Sequence, residues 1–140
     1  SWGDISWASQ VLLTAEIMAQ VYYPALRDAT QSAMLGTICE RIIDDEIFHI
    51  RFQTARIATA LARRRSVYRI CHMALSHLMF VGALVVLWLE HRAVLAYTLS
   101  FREYVEESWR RYTYAMAQIR MHLSKDESTA PANLTHPAAS

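Results

Sequence analysis

The sequence predicts an all-α fold, an antiparallel helical bundle, and three observations carry that expectation. Only three Gly and three Pro occur among 140 residues, and two of the prolines fall in the last ten. Apolar residues make up 54 % of the chain, and they recur at helical spacing over four long stretches. Between these stretches lie short segments that carry capping residues or a cationic run, so the chain reads as helices joined by tight connections. Its length suits one domain with a real core, over residues 1–123, followed by a tail over 124–140 that is expected to be disordered.

The first helix is expected to start at Asp4 or Ser6, either of which can cap it, and to close near Arg27. Val11, Leu12, Ala15, Met18, Ala19 and Tyr22 would form its apolar stripe. Pro24 should kink the last turn or mark its end, because its ring removes a backbone donor. A second helix follows from about Gln31 to Arg65, with Thr37 and Glu40 as an internal capping box if Gly36 breaks it. The Arg63-Arg64-Arg65 triplet reads as a solvated C-terminal turn, where cations suit the negative end of the helix dipole.

Ser66 can cap the third helix, whose stretch Ile70 to Leu89 is apolar nearly all round. At roughly 20 residues that stretch is long enough to cross a bilayer. His72, Ser76, His77 and Gly82 argue against a span, since polar groups need partners in lipid. Arg69 and Arg92 flank both ends and set no orientation. The favoured expectation is a central helix buried by its neighbours. The fourth helix opens on Ser100 and Glu103, a capping box in which each residue satisfies a donor of the other. Phe101, Tyr104, Val105, Tyr112, Met116 and Ile119 then form a stripe suited to core packing. Beyond Leu123 the periodicity ends, and the Asn133 sequon carries no weight without a secretory signal.

Fourteen Lys and Arg against thirteen Asp and Glu leave a net charge of +1, so no global field recruits nucleic acid. Cys39 and Cys71 lack any CxxC or zinc spacing and are expected as buried thiols. With no signal-peptide pattern at the start, they predict a reducing, cytoplasmic location. The chain opens at Ser1 without Met, which fits processing, a tag remnant or a fragment. No Ser/His/Asp order, glycine-rich phosphate loop or basic stacking platform is present. His72 and His77 are expected as hydrogen-bonded core imidazoles and His91 as a helix-end residue.

The informative chemistry lies in the first two helices. In "ERIIDDEIFHIRFQ", Glu46 and His49 stand at i and i+3, so an oxygen and a nitrogen can aim at one point. Glu16 is the only acid between Asp4 and Asp28 and sits in the apolar run "VLLTAEIMAQVYY". A carboxylate in such surroundings must be paired, protonated or bound to a cation; the other reading places it on the outer face beside Gln20 and Ser9. If the helices fold back around residues 30–32, Glu16 and Glu46 reach the same height to within roughly one turn, at about 1.5 Å per residue. The three groups can then converge. Asp45 stands four residues before His49 and could orient it, although Asp44 and Asp45 are expected to face solvent near Arg41.

A Glu on one helix, followed thirty positions later by Glu-x-x-His on its antiparallel partner, resembles half of the di-iron site of ferritin-like proteins such as rubrerythrins and bacterioferritins. The wording "DDEIFHIRFQ" is similar to their second ligand helix, and the likeness covers roughly residues 5–65. The resemblance implies a ferritin-like bundle in which Glu16 is a terminal carboxylate, Glu46 a bridging carboxylate and His49 a terminal nitrogen ligand. It further implies a di-iron centre, or manganese in its place, and an O2- or peroxide-dependent oxidoreductase or ferroxidase. No second Glu-x-x-His occurs. Missing N-terminal helices are the first expected source of the other half. A second subunit in a homodimer, as in the short encapsulated ferritins, is the second source, and Glu90 with Glu106 or Glu107 is the third. The rival reading from another class is a metal-free helical interaction protein, membrane-associated through residues 70–89.

Overall fold

Three connections of only two or three residues decide the architecture, because so short a link leaves a helix no choice but to run back along its predecessor. A computed structural model describes residues 2–129, with side chains from residue 4 onward. It contains four helices: α1 (Trp2–Ala29), α2 (Ala33–Ala62), α3 (Ser66–Thr98) and α4 (Phe101–Thr129). The chain is an all-α bundle. Contacts set the directions. Ser6 meets Tyr68 and Tyr22 meets His91, so α1 and α3 run parallel; Trp88 meets Phe101 while Arg69 meets Glu127, so α3 and α4 run antiparallel.

The core is built from all four helices, with Leu13, Ile17 and Val21 contributed by α1, Ile57 and Leu61 by α2, Phe80 by α3 and Tyr112 by α4. Phe80 and Tyr112 stack nearly parallel with ring centroids 4.1 Å apart. Each such fully buried side chain stabilises the fold by about 1.5–3 kcal/mol. Tyr104 is also buried and donates to the Leu84 carbonyl at 2.6 Å, which satisfies its hydroxyl inside the core.

The capping box at the start of α4 forms as expected, with Ser100 N–H donating to Glu103 at 2.7 Å and Glu103 N–H to the Ser100 hydroxyl at 3.2 Å. Elsewhere the ends differ from expectation. α1 runs unbroken past Pro24 to Ala29. Ser32 caps α2, Gly36 does not interrupt it, and Thr37 bonds back to the Ala33 carbonyl instead of capping Glu40. Arg63–Arg65 forms the connection to α3, with Arg64 over the Tyr68 ring; Ser66 lies inside α3 and Arg65 holds the cap position without a side-chain bond. α4 continues to Thr129, so residues 124–129 of the expected tail are helical, while 130–140, with the Asn133 sequon, lie outside the described residues.

Four packing expectations are corrected. Of the α1 stripe, Val11, Leu12 and Ala15 are exposed and only Met18 is buried, because the buried face turns to Leu13, Ile17, Val21 and Ala25. α3 is not a buried central helix: only 22 % of its most apolar window is covered, and Ile70, Leu78, Val81 and Val86 face outward. Its inward face carries His72, Ser76, Phe80 and Leu84, so two of its polar residues point in while apolar ones point out. By length and composition it remains long and apolar enough to cross a membrane. Cys71 lies on that exposed side, whereas Cys39 is buried as expected. On α4, Tyr104, Tyr112, Met116 and Ile119 are buried, and Phe101 is exposed at the helix start.

Candidate metal centre

The α1–α2 hairpin brings Glu16, Glu46 and His49 together. Ser32 at the N-cap of α2 starts that helix close to the end of α1, and the register that follows places the Glu-x-x-His turn opposite the middle of α1. One ligand atom from each of the three residues lies within 4.8 Å of the others, and the group could hold a metal ion. His49 Nδ1 stands 3.6 Å from Glu46 Oε2 and 3.9 Å from Glu16 Oε1. Neither distance is a hydrogen bond. Two donors each about 2.1 Å from one ion lie between roughly 3 and 4.2 Å apart, so the spacing suits ligands of a shared cation.

Burial makes this arrangement demanding. The Glu16 and Glu46 side chains are 15 % and 13 % exposed, and His49, at 56 %, forms the open side of the site. Oε2 of Glu16 and Oε2 of Glu46 are buried with no hydrogen-bond partner. Burial, with the Glu46 charge adding to it, pushes the Glu16 carboxyl up to about 7, against the pull of His49. Burial also raises Glu46 and the Asp45 charge adds to that, while His49 opposes. A divalent cation among these groups would reverse the balance and favour both carboxylates in ionised form. The residues present therefore fit a cation held by oxygen and nitrogen donors.

The other acids are placed elsewhere. Glu106 pairs with Arg102, Glu107 is shared by Arg110 and Arg111, and Glu90 is exposed, so none of the three joins the cluster. Asp44 and Asp45 are exposed, as expected. Among the remaining histidines, His72 is buried beside Trp7, and His77 is exposed yet bonds Tyr112 at 2.7 Å through Nδ1. His91 is not at a helix end: it sits within α3 at φ −121 and ψ 22, where the helix kinks, with its ring against Tyr22.

Sequence reasoning missed a second group of polar residues. Gln20, Arg51, Arg110, Arg111 and His122 line a cavity of about 320 Å³ between α1, α2 and α4. They come from three helices and follow no spacing rule, so only the fold unites them. No family model, curated protein or solved structure matches this chain.

Proposed function

We propose that Glu16, Glu46 and His49 form half of a ferritin-like di-iron centre, or its manganese counterpart, in a protein that carries out O2- or peroxide-dependent oxidation or ferrous ion oxidation. One observation carries the reading: two partly buried carboxylates on facing helices, each with one buried oxygen lacking any hydrogen-bond partner, converge on one imidazole. A bound iron pair would supply the redox chemistry. The chain's own part is to hold the donors in place: the hairpin fixes the two carboxylates, and packing keeps them from relaxing into water.

The remaining ligands have to come from outside the described helices, since Glu90, Glu106 and Glu107 stay apart. The surface around the half-site supports docking of further helices. Leu12, one turn before Glu16, is 47 % exposed, and Phe48 and Phe52, flanking His49, are 69 % and 57 % exposed. Helices of a longer chain are the first source and a second copy is the other; a two-fold axis near His49 would double the ligand set.

The test is metal analysis after purification with added ferrous ion, beside Glu46→Ala and His49→Ala. Stoichiometric iron, lost in both variants, is the expected result, with about one ion per chain marking a shared centre. A folded chain that binds no iron, or variants that bind it as well as the parent, would sink the reading. The second reading, a metal-free protein that associates with membranes through residues 70–89, is favoured by the outward apolar face of α3. Retention in the membrane pellet after carbonate extraction supports it, and full solubility without detergent counts against it.

A further inference from the structure

The cavity between α1, α2 and α4 has a charge pattern that the metal centre does not use. Arg51, Arg110, Arg111 and His122 line it, and none of its lining residues is acidic. The nearby Glu107 is already engaged: it accepts from Arg110 at 2.7 and 3.0 Å and from Arg111 at 2.7 Å. Two guanidinium groups thus share one carboxylate. The Arg51 side chain makes no ion pair or hydrogen bond among the described residues, its carbonyl alone accepting from the Thr54 hydroxyl, so the wall carries unbalanced positive charge.

The positions of these groups are set by the fold. Arg111 donates to the Gln20 side chain at 2.9 Å as well as to Glu107, which pins its guanidinium across α1 and α4. Planar guanidinium groups with free N–H donors are the side chains best suited to carboxylate and phosphate oxygens. Ile47 and Ile50 supply an apolar floor on α2. About 320 Å³ is the lower end of the range for small-molecule sites.

We propose that this cavity is a binding site for a small organic or inorganic oxyanion, its carboxylate or phosphate held by Arg51 together with Arg110 and Arg111. Gln20 lies one helical turn from Glu16, and Ile50 one turn from Glu46, so a molecule seated here has its uncharged end near the two carboxylates. That location would make the oxyanion a substrate or effector of the metal site; this last step rests on the proposed function, whereas anion binding itself does not.

The experiment is calorimetric titration of the metal-free chain at fixed ionic strength with citrate, with inorganic phosphate and with uncharged glycerol. Arg51→Glu and Arg51→Lys are titrated in parallel. Saturable one-to-one binding of an anion, absent with glycerol and weakened at least about tenfold in Arg51→Glu but retained in Arg51→Lys, is expected. Tighter binding of citrate assigns a carboxylate ligand, and tighter binding of phosphate a phosphorylated one. The Arg51 side chain is exposed and unpartnered, so circular dichroism and melting of Arg51→Glu should match the parent. No saturable binding of either anion, or equal affinity in Arg51→Glu, overturns the proposal. Because the titration uses no metal, failure of the di-iron reading leaves its outcome intact.

Discussion

His49 and His72 show how one residue type takes opposite roles within a single bundle. His49 stands at the α1–α2 seam, more than half exposed, with two partly buried carboxylates within 3.9 Å. His72 is 1 % exposed on the inner face of α3, its ring 4.4 Å from that of Trp7 and its Nδ1 beside the Ser76 hydroxyl. Burial lowers the His72 pKa, against the pull of the Ser6 backbone, so the ring stays neutral as a core group. An imidazole becomes a ligand candidate through what faces it. Two orphaned carboxylates face one of these rings, and an indole faces the other.

The sharpest way to test the half-site short of metal is to remove its electrostatic cost. Glu16 holds its proton up to about pH 7 in the fold but releases it near 4.5 when unfolded. Between those values the folded state binds more protons than the unfolded one, so the metal-free chain loses stability as pH rises from about 4.5 to 7 and stays weakened above. Glu16→Gln should therefore be more stable than the parent at pH 8, by roughly 1–3 kcal/mol, and little different at pH 4. Urea denaturation at both values checks this. A variant less stable than the parent at pH 8 would mean that Glu16 is satisfied without a cation, and the contrast with His72 would collapse.

How much of this was legible in the residues depends on whether a spacing rule connects them. Glu46 and His49 are bound by the i, i+3 rule and Glu16 by hairpin arithmetic, so their convergence followed from sequence. The start of α4 was equally readable because Ser100 and Glu103 leave a local signature. The inward faces of α1 and α3 were not. Both helices are apolar around most of their circumference, so periodicity selected Val11 and Leu12 over Leu13 and Ile17; on α3 His72 lies in the core as expected, but nothing in the pattern said that Ser76 turns inward beside it while His77 faces out. The arginine-lined cavity lay further from view, since Arg51 and Arg110 meet only after α2 and α4 have packed.

A smaller effect sharpens the core side of the comparison. The His72 pKa is lowered in the fold, so its unfolded form takes up a proton near 6.5 that the folded form resists. That contribution to stability is complete above 6.5 and is lost as pH falls through and below that value. In the Glu16→Gln background, which removes the larger opposing carboxylate slope and leaves that of Glu46, adding His72→Gln should make stability fall less on acidification from pH 7 to 5. An unchanged slope in the double variant would assign the acid sensitivity to another group.

The smallest change concerns His77, which lies between the two cases: exposed like His49, but held by a core residue. Burial pushes the Tyr112 hydroxyl up to about 12, and this protonated hydroxyl lies 2.7 Å from His77 Nδ1, within hydrogen-bond reach. With Tyr112 as the donor, that bond leaves the imidazole proton on Nε2 and occupies the nitrogen a metal would need on that side. Tyr112→Phe keeps the ring stacked on Phe80 and removes only the hydroxyl, so the expected loss is about 1 kcal/mol. Nitrogen chemical shifts of His77 should show the Nε2–H tautomer in the parent and a mixture in the variant. A mixture already present in the parent would mean that the tyrosine does not hold the ring, and His77 would then be as free to take a ligand as His49.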